Sequence, residues 1–339
     1  MPSRSPAIHP RLAILDVLRG LAALWVALYH FTQNGPFHAG FPADQPLKTM
    51  GTHGWLGVYV FFVISGFILP WTMDRSGYRL RDYGRFLWKR LLRLHPLYLL
   101  SVGAMLLPFL FHAGGTMAAR TWADWWPHFF YLNGLLNRPW LMDIYWTLAL
   151  EAQYYLAIGL LFPLLVHRRP TVRWTVMAAL ILLPLVVGYD HSPALPRTVP
   201  PFAAIFAMGM LTFWKISRRC GSAGFLLGLC ACGLVTWRVI GGPHALIALL
   251  TAAAATVRLP RGPAWLMWLG SVSYPLYLCH LVIGGLLLPQ LARLPRGPWL
   301  DGVAVVFLLA VSLVVAWGLH GLVELPAQRW SSAIRYRRS

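Results

Sequence analysis

Six side chains stand out because their chemistry is at odds with their surroundings. Arg19 and His30 lie within "LDVLRGLAALWVALYHF", Arg90 and Arg93 in "KRLLRLHP", Glu151 in "LALEAQYY" and His280 in "SYPLYLCH", all in or beside apolar stretches. Burying an ionisable group in a bilayer costs a few kcal/mol on insertion scales, so each asks for a function or a partner. Arg19 and His30 are eleven residues apart, almost three helical turns, which puts them on one helix face at depths differing by roughly 16 Å. They cannot touch each other, but one elongated ligand can reach both. Histidine is the side chain best poised near neutral pH to take a proton from a hydroxyl. Glu151, roughly 9 Å below the outer end of its span, lies at a depth from which a carboxylate can orient that ring. His280 lies at comparable depth and is a second candidate. Arg90 and Arg93, at i and i+3 where a span leaves the cytoplasmic surface, can hold phosphate bidentately. The structural alternatives are an Asp16–Arg19 pair at i and i+3, and a Glu151 paired with an arginine of a neighbouring helix.

The elements that must position these groups are membrane spans. Of 339 residues 58% are apolar and only 12% charged, far below the usual quarter of a soluble domain. Apolar stretches recur between short loops rich in Arg, Pro and Gly, which predicts an all-α integral membrane protein: a polytopic bundle of about ten transmembrane helices. The expected spans are 12–33, 54–72, 92–111, 145–166, 171–189, 200–215, 222–240, 243–257, 265–289 and 300–324. Between the third and fourth lies "WADWWPHFFYLNGLLN", whose tryptophans predict an interfacial or re-entrant segment with Trp122, Trp125 and Trp126 at headgroup level.

A net charge of +19 would point to nucleic acid in a soluble protein. Its placement argues against that partner: alternate loops hold about three times as many Lys and Arg as the others, the positive-inside pattern. Both termini are therefore expected in the cytoplasm, with basic tails at 1–11 and 327–339 flanking a single membrane domain spanning 1–339. Asp16 and Arg19 interrupt the first apolar stretch, which reads as a signal anchor and not a cleavable signal peptide. Cys220, Cys230, Cys232 and Cys279 lack CxxC spacing and read as packing residues, so neither a zinc site nor a disulfide framework is expected.

Taken in order, these motifs resemble the membrane acyltransferase-3 family of bacterial integral-membrane O-acyltransferases. "LRGLAALWVALYH" is similar to its Arg, ten residues, His signature through Arg19 and His30. "GVYVFFVISGFIL" resembles its Ser-Gly-Phe segment, with Ser65 and Gly66 as small residues permitting close helix approach. "KRLLRLHPLY" carries the paired arginines through Arg90 and Arg93. "WTLALEAQYYL" carries Trp146 and Glu151, with Tyr154 in the same stretch, "LGSVSYPLYLCH" resembles the late Ser-Tyr and His segment, and "VELPAQRW" the closing Glu-x-Pro. The resemblance implies transfer of an acyl group, acetyl by default, from cytoplasmic acetyl-CoA or another acyl-CoA to a hydroxyl of a glycan or other acceptor on the extracytoplasmic side of the bacterial inner membrane. It implies His30 as catalytic residue and Arg19, Arg90 and Arg93 in donor binding or site structure, with no metal. Glu151 is expected to orient His30, and the acyl group passes either directly to the acceptor or through an acylated His30. The rival class is transport, since a bundle with buried Arg, Glu and His could move a proton-coupled solute or flip a glycan precursor.

Overall fold

The computed structural model describes residues 13–33, 45–111, 122–189, 198–257, 259, 262–295 and 297–336. The tail at 1–11 and the end of the tail at 327–339 lie outside them. Among the described residues there are helices and turns but no strand. In chain order they are α1 (Ala13–Gln33), the short α2 (Pro46–Gly51), α3 (Gly57–Arg75), α4 (Tyr83–Phe111), α5 (Trp122–Trp125), α6 (Tyr145–Leu165), α7 (Pro170–Val187), α8 (Ala203–Ile216), α9 (Ser222–Val239), α10 (Gly242–Ala254), α11 (Ala264–Ser271), α12 (Ser273–Leu291), α13 (Pro298–Leu319) and α14 (Leu325–Ala333). Seven helical stretches among the described residues are long and apolar enough to cross a membrane, and α8 and α10 are shorter apolar helices. The protein is thus a multi-pass membrane protein.

Two glycine contacts set the core. Gly66 of α3 lies so close to α8 that a Cβ there would stand 2.2 Å from the Phe206 carbonyl oxygen, and one on Gly209 of α8 would stand 2.1 Å from that of Val63. Backbone meets backbone because neither helix has a side chain at the crossing, the usual way for helices to associate where no water drives them together. Gly20 of α1 and Gly270 of α11 make the second such contact, the latter against the Asp16 backbone.

Three departures from the expected spans stand out, the first two with backbone causes. The expected helix at 265–289 divides between α11 and α12 after Ser271. Pro275, four residues on, has no N–H for the Ser271 carbonyl and crowds it. A π-helical turn at His320–Glu324 separates α13 from α14, with the Leu325 N–H on the His320 carbonyl; Pro326 cannot continue the i to i−4 ladder. The helix expected to begin at 92 begins at Tyr83, so Lys89, Arg90 and Arg93 are all helical. The tryptophan-rich segment folds back into the bundle: Tyr131, in the left-handed region at φ 60, stacks on Tyr98 of α4 at 4.5 Å between ring centroids, and its hydroxyl meets His95 Nδ1 at 3.2 Å. The segment is an arm packed on α4.

Candidate functional site

Arg19 of α1, Ser65 of α3, Arg90 and Arg93 of α4 and Glu151 of α6 all line one narrow cavity of about 100 Å³. Five residues from four helices meet because each helix turns its polar position inward, away from lipid. Thr147, Tyr155, Ser273, Tyr274, Tyr277 and Glu324 complete the polar lining. Three guanidinium groups thus face two carboxylates, and Asp16 adds its charge near Arg19 and Arg93.

Arg90 is 9% exposed. It was expected at the bilayer surface; instead α4 begins earlier and carries it inside, over the Phe86 ring at 5.4 Å. One Nη donates to Thr72 Oγ1 at 2.9 Å, while its Nε has no hydrogen-bond partner among the described residues. A buried guanidinium with an unmet donor suits an anionic or carbonyl-bearing ligand.

Glu151 accepts hydrogen bonds from Ser65 Oγ at 3.3 Å and from the Tyr155 hydroxyl. The expected pairing of Glu151 with His30 is therefore corrected: no hydrogen bond joins them. Similar depth did not bring them together, because α6 turns Glu151 toward α3 and α4 whereas His30 faces α12. The partner of His30 is His280, whose Nε2 lies 3.2 Å from His30 Nδ1. The carboxylate whose charge reaches His30 is Asp143, just before α6.

The histidine pair adjoins the cavity through Tyr277. That ring lines the cavity, lies 6.1 Å from His280 and is held by Thr147 Oγ1 at 2.7 Å from its hydroxyl. Trp146 and Tyr154, by contrast, do not line the cavity. Trp146 lies edge-on to Phe62 and tilted against Phe202, and Tyr154 stacks on Phe206 at 4.1 Å.

Sequence reasoning passed over Glu324, Tyr155, Tyr274 and Tyr277 as site residues. Glu324, 4% exposed, is held by His320 Nδ1 at 2.7 Å and Gln328 Nε2 at 3.0 Å. The glutamate of "VELPAQRW" was its only signal, and the π turn that aims it inward is not encoded in apolar periodicity. Beyond the cavity α14 packs on α4, with Ser331 Oγ donating to the Lys89 carbonyl at 2.9 Å. Tyr336 lies 5.8 Å from Lys89 Nζ and 5.6 Å from the Tyr78 ring. Burial pushes the Tyr78 phenol up to about 12; its hydroxyl donates to the Gly159 carbonyl at 2.7 Å. Among the described residues no three His, Cys, Asp or Glu side chains cluster to hold a metal ion.

A second, largely apolar cavity of about 350 Å³ lies between α4, α6 and the tryptophan-rich arm and shares Arg90, Leu94, Leu148 and Tyr155 with the first. Its outer rim, Trp88, Phe130 and Leu156, is exposed, as expected of a surface that meets lipid.

A multi-helical membrane bundle holds a polar, arginine-rich cavity beside a histidine pair, part-buried His30 and fully buried His280, an arrangement that suits a membrane transferase. Residues 12–321 match the acyltransferase-3 family, described as an acyltransferase domain, and the chain belongs to that family. Nodulation protein 10 of Rhizobium leguminosarum bv. viciae is similar at 26% identity, with 95% of each chain aligned. Acyltransferase MdmB of Streptomyces mycarofaciens is 26% identical, with 94% of this chain and 92% of that protein aligned. O-acetyltransferase OatA of Staphylococcus aureus is 28% identical over 51% of this chain and 29% of its own length. No solved structure matches.

Proposed function

We propose that this protein moves an acyl group, acetyl as the default, from cytoplasmic acyl-CoA to a hydroxyl of a glycan or another acceptor on the extracytoplasmic side of the bacterial inner membrane. Ten spans with both termini in the cytoplasm suit this reading. The observation that carries it is the gathering of Arg19, Arg90, Arg93 and Glu151 in one narrow cavity that adjoins His30 and His280 through Tyr277.

The cavity is too small for a nucleotide and suits a threadlike chain such as a pantetheine arm. The phosphates then stay at the cytoplasmic mouth, where Arg93 is half-buried and Lys89 lies within one further turn. Arg90, beside Lys89 but more buried than Arg93, meets the donor through the N–H it leaves unsatisfied. Glu151 acts as a positioning residue: it balances the buried Arg90 and fixes Ser65 and Tyr155 at the wall. At the far end His30 takes the proton of the acceptor hydroxyl as its oxygen attacks the thioester carbonyl. The C–S bond breaks, and the thiolate recovers that proton.

The test is vectorial transfer. Purified protein in proteoliposomes receives labelled acetyl-CoA on one side and an envelope glycan extract on the other. Label on glycan only when the donor meets the face bearing Arg93 supports the reading. Transport of glycan without CoA, and no label transferred from any acyl-CoA, overturns it.

A further inference from the structure

Each imidazole of the pair meets a main-chain carbonyl one turn back on its own helix. His30 Nδ1 lies 2.9 Å from the Val26 oxygen, and His280 Nδ1 lies 3.0 Å from the Leu276 oxygen. A carbonyl oxygen only accepts, so each Nδ1 carries a proton, and a neutral imidazole has only one. Each Nε2 is left with a lone pair. The reverse assignment, with His280 Nε2 donating to His30, would set two ring lone pairs against two carbonyl oxygens at about 3 Å. His280 Nε2, 3.2 Å from His30 Nδ1, is therefore the second acceptor of the His30 Nδ1–H.

The geometry points to His280 as the positioning residue that locks His30 in its Nδ1–H tautomer and leaves His30 Nε2 as the reacting nitrogen, an assignment that rests on the reading of His30 as catalytic. The lock is rigid. His280 is fully buried, with Phe31 and Tyr277 each about 6 Å from its ring, and α1 packs directly on α12.

The same nitrogen serves both routes of transfer. In the direct route Nε2 takes the hydroxyl proton while the oxygen bonds to the acyl carbon, and the departing thiolate takes that proton back. In the two-step route the acyl group moves from sulfur to Nε2 and then to the acceptor oxygen. The released thiolate then takes up, through water, the proton the hydroxyl gives up. Either way the ring becomes cationic during the reaction, and its Nδ1–H bonds to Val26 and His280 strengthen at that moment. An interaction stronger in the transition state than in the resting state raises kcat and leaves donor binding alone.

Two variants separate this role from a structural one. His280→Leu removes the acceptor, while His280→Gln sets a carbonyl oxygen the same number of bonds from Cβ as Nε2. With acetyl-CoA and an envelope glycan extract, kcat for CoA release is expected to fall on the order of 100-fold in His280→Leu with donor KM unchanged. His280→Gln should stay within about tenfold of wild type. Nitrogen-15 spectra of labelled histidine should show His30 Nε2 unprotonated in the neutral wild type and a mixture of tautomers in His280→Leu. A fully active His280→Leu, a Gln variant as inactive as the Leu variant, or a protonated Nε2 in the neutral resting ring overturns the assignment. If His30→Ala itself turns over normally, the catalytic reading has failed and not merely the tautomer lock.

Discussion

Adding one methyl group at Gly66 should cost far more activity than its size suggests. In Gly66→Ala the new Cβ would stand 2.2 Å from the Phe206 carbonyl oxygen and 3.0 and 3.1 Å from two more of its backbone atoms, whereas ordinary contact begins at 3.4 Å. The obstacle is backbone, so no rotamer change relieves it, and α3 must back away from α8 by about 1 Å; overpacking of this kind costs about 1–3 kcal/mol. Ser65 moves with α3, and its 3.3 Å hydrogen bond to Glu151 has no slack for such a shift. Misplacement on this scale can cost about 100-fold in rate. Gly103→Ala on α4 is the control, since none of the described residues lies within 4 Å of its added Cβ, and better helix propensity should stabilise it by up to about 1 kcal/mol. Thermal unfolding in nanodiscs and CoA release measure the two effects. A Gly66→Ala protein as stable and as active as Gly103→Ala would refute the claim that this crossing positions the site.

Other substitutions probe separate parts of the account. Tyr155→Phe removes a donor to Glu151 and should destabilise the protein by about 1–3 kcal/mol, measured by thermal unfolding, with turnover falling alongside. Arg90→Lys keeps the charge but loses the planar fork on Thr72 and the ligand; donor KM should rise about tenfold or more in steady-state kinetics. Asp74→Asn breaks the part-exposed pair with Arg219 at 2.7 Å; the loss should be under about 1 kcal/mol, with CoA release unchanged.

Much of the fold was legible because apolar length and loop chemistry dictate it: each expected span overlaps helix among the described residues, with most ends shifted by a few residues and a break at Val272 inside 265–289. Two of the departures trace to Pro275 and Pro326, whose effect on a helix end depends on what packs beside it. The cavity was legible in part. Arg19, Arg90, Arg93 and Glu151 were singled out by cost and spacing and Ser65 by the family resemblance, and four helices bring them together. Depth along a helix, however, says nothing about azimuth across the bundle. That is why Glu151 was assigned to His30, and why His280, equal in depth, was placed second although it is the residue in contact. Tyr155, Tyr274 and Tyr277 read as core aromatics in sequence, and only the packing shows their faces on the cavity.

The central claim is that His30 performs transfer from acyl-CoA, and CoA release tests it most directly. Purified protein in nanodiscs is given acetyl-CoA, a thiol-reactive reporter and an envelope glycan extract, and wild type is compared with a His30→Ala variant of equal thermal stability. Acceptor-stimulated release in wild type that falls by at least about 100-fold in His30→Ala is the result predicted. Equal release from the two proteins would contradict it.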